Sequence, residues 1–251
     1  MRQVRREKAH ITFYNTAIMH RRSPGLAAWW SAAFPGFGHI YLGCYIKGYF
    51  LIIWEFIVNL NSNLNMAIIY AFTGRFELSA TIIDTRWLLM YCPMYIFGIW
   101  GSYRLSLEFN KVARISRNGL LNISPQVFNG MGANILDKRL PYITIIWSML
   151  MPGIGHIYIT RLVTGLIIMV AWVTAVYFSG FLPAFHLTLI GDFSRVAAST
   201  NPQWLLFLPS LYCFTLFDSY SHCVEYNKLF DQEQAQFLES EYQDGSFKMP
   251  I

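Results

Sequence analysis

Apolar residues fall in long runs along this chain, and the runs recur at a fixed distance. Stretches at 26–46, 48–60 and 87–103 are followed, 117 residues later, by stretches at 142–160, 165–181 and 204–220. Their length and the near absence of charge predict helices in an apolar setting. The sharpest match is Pro35-Gly36-Phe37-Gly38-His39-Ile40-Tyr41 with Pro152-Gly153-Ile154-Gly155-His156-Ile157-Tyr158. The same offset carries Pro24 onto Pro141, Trp30-Ser31 onto Trp147-Ser148, Gly48 onto Gly165, and Trp87-Leu88-Leu89 onto Trp204-Leu205-Leu206. It also carries Glu108, Asn110 and Lys111 onto Glu225, Asn227 and Lys228, with no gap anywhere. More than twenty of the 88 aligned positions are identical. An internal repeat is the strongest signal in the sequence.

Each first run is interrupted at its centre. Eleven residues lead from Gly25 to Pro35, a helix of roughly 16 Å, about half a bilayer core. Proline and two glycines then break it. Between the second and third runs lie stretches expected to be polar loops, 59–86 and 183–203, the first marked by Asn59, Asn61, Asn63 and Asn65.

Composition strengthens this picture: 55% hydrophobic, 17% aromatic and 13% charged residues are too oily for a soluble domain of this size. The net charge of +5 sits in short basic runs beside apolar segments, which suits a membrane surface and gives no reason to expect nucleic acid. Cys44, Cys92, Cys213 and Cys223 show no C-x-x-C spacing and none is duplicated, so they are expected to be free apolar fillers. The counterpart of 26–34 lies mid-chain, so the first apolar run is read as retained and not as a signal peptide.

Positive charge sets the topology. Residues 1–23 hold six Lys and Arg, and the stretch from Arg104 to Arg139 holds six more, whereas the two inter-run loops hold only Arg75, Arg86 and Arg195. By the positive-inside rule the arm and the linker share the cytoplasmic side, and each repeat crosses an even number of times. Lys47, Arg161, Lys228 and Lys248 then also face the cytoplasm. The broken first run is the one expected to dip and return. Six spans with inverted repeats is the alternative topology.

The sequence therefore predicts an all-α integral membrane protein of two tandem homologous repeats, each with a Pro/Gly-broken re-entrant segment and two transmembrane helices. Its parts are a basic cytoplasmic arm over 1–23, membrane repeats over 24–111 and 141–228, a cytoplasmic linker over 112–140 and an acidic tail over 229–251. The arm reads as an amphipathic basic segment on an anionic leaflet or as a disordered tail. The linker reads as a connector with a short interfacial helix at most. The tail, with Leu229, Phe230, Phe237 and Leu238 at helical spacing, either folds back on the basic segments or stays solvated.

The run Pro35-Gly36-x-Gly38-His39-Ile40-Tyr41-Leu42-Gly43, followed by Lys47-Gly48, resembles the glycine-rich turn of TM2-type small membrane domains, over about 25 residues of each repeat. The resemblance implies a duplicated membrane module and supplies no catalytic residues. His39 and Tyr41 are one residue apart where that family typically has two between them, and Thr160 replaces Gly43 in the second copy.

Candidate chemistry is sparse. Pro35, Gly36 and Gly38, with Pro152, Gly153 and Gly155, free backbone groups that transporters use in paired broken helices, or that form a structural turn. His39 and His156, with Tyr41 and Tyr158, are the duplicated ionisable set, expected to hydrogen-bond freed carbonyls and not to hold a metal. Glu55, opposite Trp172, is an intramembrane carboxylate and a functional candidate, with His39 or Lys47 as its expected partner. Asp218 is expected to be solvated near the end of the last span. No nucleophile elbow, P-loop or metalloprotease motif occurs, and neither an enzyme nor a cofactor is expected. The expected function is a non-enzymatic scaffold or accessory module for other membrane proteins, located in the cell membrane with both termini cytoplasmic. Its expected partners are the lipid bilayer and other membrane proteins or a second copy. The alternative is a small transporter or channel subunit using the paired breaks and Glu55.

Overall fold

The computed structural model describes residues 9–116, 124–129 and 132–242. Several basic and acidic positions of the arm, linker and tail, among them Arg2, Arg5, Arg6, Lys8, Arg117, Asp244 and Lys248, lie outside the described residues. The fold is mostly helical. In chain order the elements are β1 (Ala9–Ile11), β2 (Thr16–Ile18), α1 (Pro24–Ala33), α2 (Phe37–Tyr41), α3 (Tyr45–Ser62), α4 (Leu64–Phe72), α5 (Phe76–Ile82) and α6 (Thr85–Ser116). Then come β3 (Gln126–Asn129), β4 (Gly132–Ile135), α7 (Pro141–Leu150), α8 (Ile154–Tyr158), α9 (Leu162–Ser179), α10 (Phe181–Leu189), α11 (Phe193–Ser199), α12 (Pro202–Leu205) and α13 (Phe207–Tyr242).

Sequence chemistry places the helix ends. Ser23 accepts a hydrogen bond from the Leu26 amide and Pro24 takes the first helical position of α1, both favoured there. Pro35 then forces Phe34 into an extended conformation (φ −159°, ψ 119°) and stops the helix. Gly36 follows at φ 103°, and α2 doubles back so closely that a β-carbon at Gly38 would collide with the Ala27 carbonyl and the Ser31 hydroxyl. Only glycine fits either position. The second copy repeats this: Gly153 has φ 104°, and a β-carbon at Gly155 would lie 2.6 Å from the Thr144 carbonyl oxygen.

Among the described residues the backbone positions with positive φ form four pairs at the 117-residue offset. They are Gly36 and Gly153, Gly43 and Thr160 (83° and 61°), Asn63 and Gly180 (54° and 67°), and Gly74 and Gly191 (76° and 80°). Asp84 and Asn201 are paired in the same way: each donates its amide to a serine carbonyl, of Ser62 and Ser179, at 3.1 and 2.8 Å. Each also accepts from an amide two residues on, at 2.9 and 3.1 Å.

Several expectations are corrected. The stretches 59–86 and 183–203 are not loops but carry α4, α5, α10 and α11. A left-handed Asn63 or Gly180 bends the chain there without ending helical structure, and α4 is itself apolar. Over 9–18 the arm is not a disordered tail: β1 and β2 pair antiparallel, Ala9 opposite Ile18, around a turn in which the Thr12 hydroxyl donates to the Asn15 carbonyl at 2.8 Å. The linker likewise carries a hairpin, β3 with β4, and no interfacial helix over 126–135. Two-residue alternation over three or four residues is too short to stand out in a sequence. The tail continues α13 to Tyr242.

Two compact units are present. One comprises 1–22, 107–166 and 216–251; the other comprises 23–106 and 167–215. In the first, Ala9, Leu136, Tyr226 and Leu229 form a small core against which Ile11, Ile18 and Phe230 pack. Leu229 and Phe230 thus anchor the base of the tail, and Lys138 pairs with Asp231 at 3.0 Å. In the second, Phe37 stacks on Phe214 at 4.1 Å between ring centroids, and Phe34 stacks on Phe37 at 4.6 Å. Trp30 meets Phe214 edge-on at 5.3 Å.

One helix among the described residues, α9, is long and apolar enough to cross a membrane, with a mean hydropathy of 2.0. Helices α3 and α4, bent by 63°, pass the same test only as a pair. The expected spans at 87–103 and 204–220 lie in α6, α12 and α13 and do not pass it. Their tyrosines and tryptophans carry polar groups that lower hydropathy while keeping a large apolar body.

Candidate functional site

Two buried polar clusters stand out, one in each unit. The first is built on Glu55, which α3 points inward and leaves 4% exposed. Four residues later on the same helix face, the Asn59 amide donates to Glu55 Oε1 at 2.9 Å and to Asn65 Oδ1 at 3.1 Å. Asn65, the second residue of α4, donates to the Gln203 carbonyl at 2.9 Å, and Gln203 Nε2 returns to the Asn59 carbonyl and Oδ1 at 2.9 and 3.1 Å. Gln203 Oε1 accepts from the Met66 amide at 2.6 Å. Both side-chain amide hydrogens of Asn59 and both of Gln203 are therefore spent, on one another, on Asn65 or on Glu55, and one of the two on Asn65 goes to the Gln203 carbonyl. Tyr91 lines the same cavity as the carboxylate. Glu55 Oε2 is left without a hydrogen-bond partner.

A cavity of about 310 Å³ adjoins this carboxylate, lined among others by Phe34, Pro35, Tyr91, Tyr95 and Phe207. The broken end of α1 forms one wall. Its freed carbonyls are covered by side chains, Tyr95 donating to Ala32 at 2.8 Å and Ser210 to Ala33 at 3.3 Å.

The second cluster is built on Asp218, which the sequence suggested would be solvated near a helix end. It is fully buried. Arg161 Nη1 donates to Asp218 Oδ2 at 2.6 Å, and His156 Nε2 meets the same oxygen at 3.0 Å. His222 Nδ1 lies 2.9 Å from the Asp218 carbonyl and 3.3 Å from Oδ1, and its Nε2 is 3.3 Å from Arg22. Arg161, read from the sequence as facing the cytoplasm, is 2% exposed. The ring of contacts ties α8, the start of α9 and the middle of α13 to the end of the N-terminal arm.

Beside this cluster His20 lies 3.8 Å from Glu225. Burial, reinforced by the Arg22 guanidinium, pulls its imidazole down to about 4 despite that carboxylate. At the exposed turn before α11, the Arg195 and Ser194 hydrogen bonds hold Asp192 below the usual carboxylate range.

The sequence-predicted residues are only partly brought together. Pro35 and Glu55 line the same cavity, and Gly36, Gly38 and Tyr41 are buried in the turn beside it. His39 and Lys47 are not the hydrogen-bond partners of Glu55; Asn59 takes that place. His39 is buried, its Nδ1 has no hydrogen-bond partner, and Gly101 faces it where a β-carbon would lie 3.5 Å from Nε2. Its counterpart His156 binds Asp218 and not a freed carbonyl. Pro152, Gly153 and Gly155 are at or below intermediate exposure in the second turn, and Tyr158 receives the Arg139 guanidinium over its ring at 5.3 Å.

Asn59, Asn65, Gln203 and the Arg161–Asp218–His222 set were missed. The asparagines resemble turn residues, and the partners of Asp218 are far apart in sequence. One signal was available: Asp218, Arg161 and His222 stand where the first repeat has Gly101, Cys44 and Leu105. A charge standing where the matching apolar stretch has none needs a nearby counter-charge. No set of three or more His, Cys, Asp or Glu side chains suited to a metal occurs among the described residues. No family model, curated protein or solved structure matches the chain.

Proposed function

We propose that the chain is an integral membrane protein made of two tandem copies of one helical module, working as a non-enzymatic scaffold or accessory module for other membrane proteins. The observation that carries the membrane reading is an inverted distribution of polarity. Among the described residues, buried polar or charged side chains number 22 against 25 buried hydrophobic ones, while 38 large hydrophobic side chains are exposed. Only 28% of the apolar stretch of α9 is buried. A water-soluble protein hides its Leu, Ile and Phe and rarely buries Arg and Asp; in a bilayer the balance reverses, because the apolar surface faces lipid.

The recurrence of caps, positive-φ residues and hairpins at one offset supports duplication, and the tight turn is in keeping with the TM2-type likeness. The module's ends support two crossings per copy. Asn110, late in α6, clamps the backbone of Arg22 just before α1, accepting at 2.8 Å and donating at 2.7 Å. Asn227 clamps Arg139 in the same way at 2.8 and 2.6 Å. Each copy thus begins and ends at one level, as four spans with two re-entrant turns and cytoplasmic termini require.

The second reading, a small transporter or channel subunit, is favoured by the open valence of Glu55 beside a cavity at the broken end of α1. Expression followed by alkaline carbonate washing, and cross-linking in the intact membrane, tests both. The scaffold reading expects retention in the bilayer and cross-links to other membrane proteins or to a second copy. Solute flux through the purified chain alone in liposomes contradicts it.

A further inference from the structure

We infer that the cavity beside Glu55 is a binding site for a small primary ammonium ion carried on an apolar body. The inference rests on the solute-handling reading of that cavity.

Charge comes first. Glu55 brings the only formal charge among the described residues that line the space, so the site selects a cation. Hydrogen-bond capacity comes second. Asn59 and Gln203 spend their amide hydrogens within the cluster, the carbonyls released by the Pro35 break are capped by Tyr95 and Ser210, and Glu55 Oε2 remains an open acceptor. An open acceptor on a buried carboxylate calls for a donor that is itself charged. A quaternary ammonium has the charge without the donor and fits less well.

Size and wall chemistry come third. About 310 Å³ is room for roughly ten waters, too spacious for a bare metal ion that needs six or more oxygens at about 2.0–2.6 Å. Phe34, Tyr91, Tyr95 and Phe207 supply apolar surface for a short hydrocarbon and ring faces that attract a cation. The amide ring holds the carboxylate in place before the ligand arrives, so little ordering cost falls on binding. The second copy has Trp172, Val176 and Leu182 where the first has Glu55, Asn59 and Asn65, so the inference assigns one site per chain, not two.

The test is equilibrium dialysis of radiolabelled n-butylammonium against the full chain in detergent micelles, in sodium phosphate buffer. Saturable binding near one per chain is expected, weakened at least about tenfold by Glu55→Gln, which keeps an acceptor for Asn59 and removes the charge. Ile68→Phe narrows the cavity without touching the carboxylate and is expected to weaken binding to a similar degree. Equal melting temperatures for wild type and variants separate lost binding from lost fold. Absence of binding by the wild type, or equal binding by Glu55→Gln, overturns the inference; displacement by potassium chloride at concentrations equal to the ammonium overturns the organic-cation assignment. A chain that needs detergent for extraction yet binds no butylammonium sinks this inference alone. A chain that stays in the aqueous phase sinks the membrane reading, whatever the dialysis shows.

Discussion

Asp218→Asn keeps the shape of the side chain and removes the charge, leaving the Arg161 guanidinium buried beside a neutral amide. Arg161 is 2% exposed and Asp218 fully buried, with 2.6 Å between Nη1 and Oδ2. At an effective dielectric of about 20, unit charges about 4 Å apart attract by about 4 kcal/mol. Breaking a buried pair by removing one partner costs about 3–5 kcal/mol, because the remaining ion has lost both water and counter-charge. Asp218→Asn and Arg161→Met are each expected to destabilise the fold by that amount. The double variant buries neither charge, and its loss should fall short of the sum by about 2 kcal/mol or more. Unfolding in mixed micelles with increasing dodecyl sulfate, followed by circular dichroism, reads all four corners of the cycle. Additive losses within about 0.5 kcal/mol would show that the two groups do not interact in the folded protein, and the account of this cluster would be wrong.

Other outcomes follow from the same structure. Gly38→Ala and Gly155→Ala drive a β-carbon into the Ala27 and Thr144 carbonyls and should each cost about 1–3 kcal/mol or more, whereas Gly43→Ala meets open space and pays only for its positive φ, about 1 kcal/mol. Melting curves of the three variants separate the cases. Asn110→Ala or Asn227→Ala removes two backbone hydrogen bonds, an expected loss of about 1–3 kcal/mol, with faster amide exchange at Arg22 or Arg139 as the local reading. His20, held near 4 in the fold and near the ordinary imidazole value of 6.5 when unfolded, binds its proton more readily in the unfolded chain; its contribution to stability is full above 6.5, falls as pH drops between the two and is lost, with no further change, below about 4. His20→Gln should flatten that part of the pH–stability curve, and an unchanged slope would assign the effect to another group.

The 117-residue pattern was legible in the sequence because its carriers are residues with no substitute. Proline and glycine at 35, 36 and 38 are fixed by backbone geometry, and the same residues, with His39 and Tyr41, stand again 117 positions on. The hairpins were not legible. Only Ile18 and Arg22 of the first hairpin region recur, as Ile135 and Arg139, since strands this short are specified by pairing and not by side-chain identity. The helices at 64–72 and 181–189 were hidden by Asn63 and Gly180, whose left-handed backbone looks like a loop signal yet bends one helix into the next. Glu55 was visible as an isolated carboxylate, but its hydrogen-bond partner is Asn59, which looked like a turn residue. The Asp218 cluster was least legible of all, because its ion pair joins residues 57 positions apart. Glu55, Asn59, Arg161, Asp218 and His222 stand at positions that differ across the 117-residue offset, whereas His156 matches His39.

The central claim, a four-span protein with both hairpins and the tail on one side, is tested most directly by labelling single cysteines from one side of an intact membrane. The background removes Cys44, Cys92, Cys213 and Cys223, and the probes replace Thr73, Ser124, Ser194 and Ser240, all exposed. Labelling of positions 73 and 194 from outside, with 124 and 240 reached only after permeabilisation, is the predicted result. If positions 124 and 194 label from outside while 73 and 240 do not, the repeats are inverted and cross three times each, and the four-span account is contradicted.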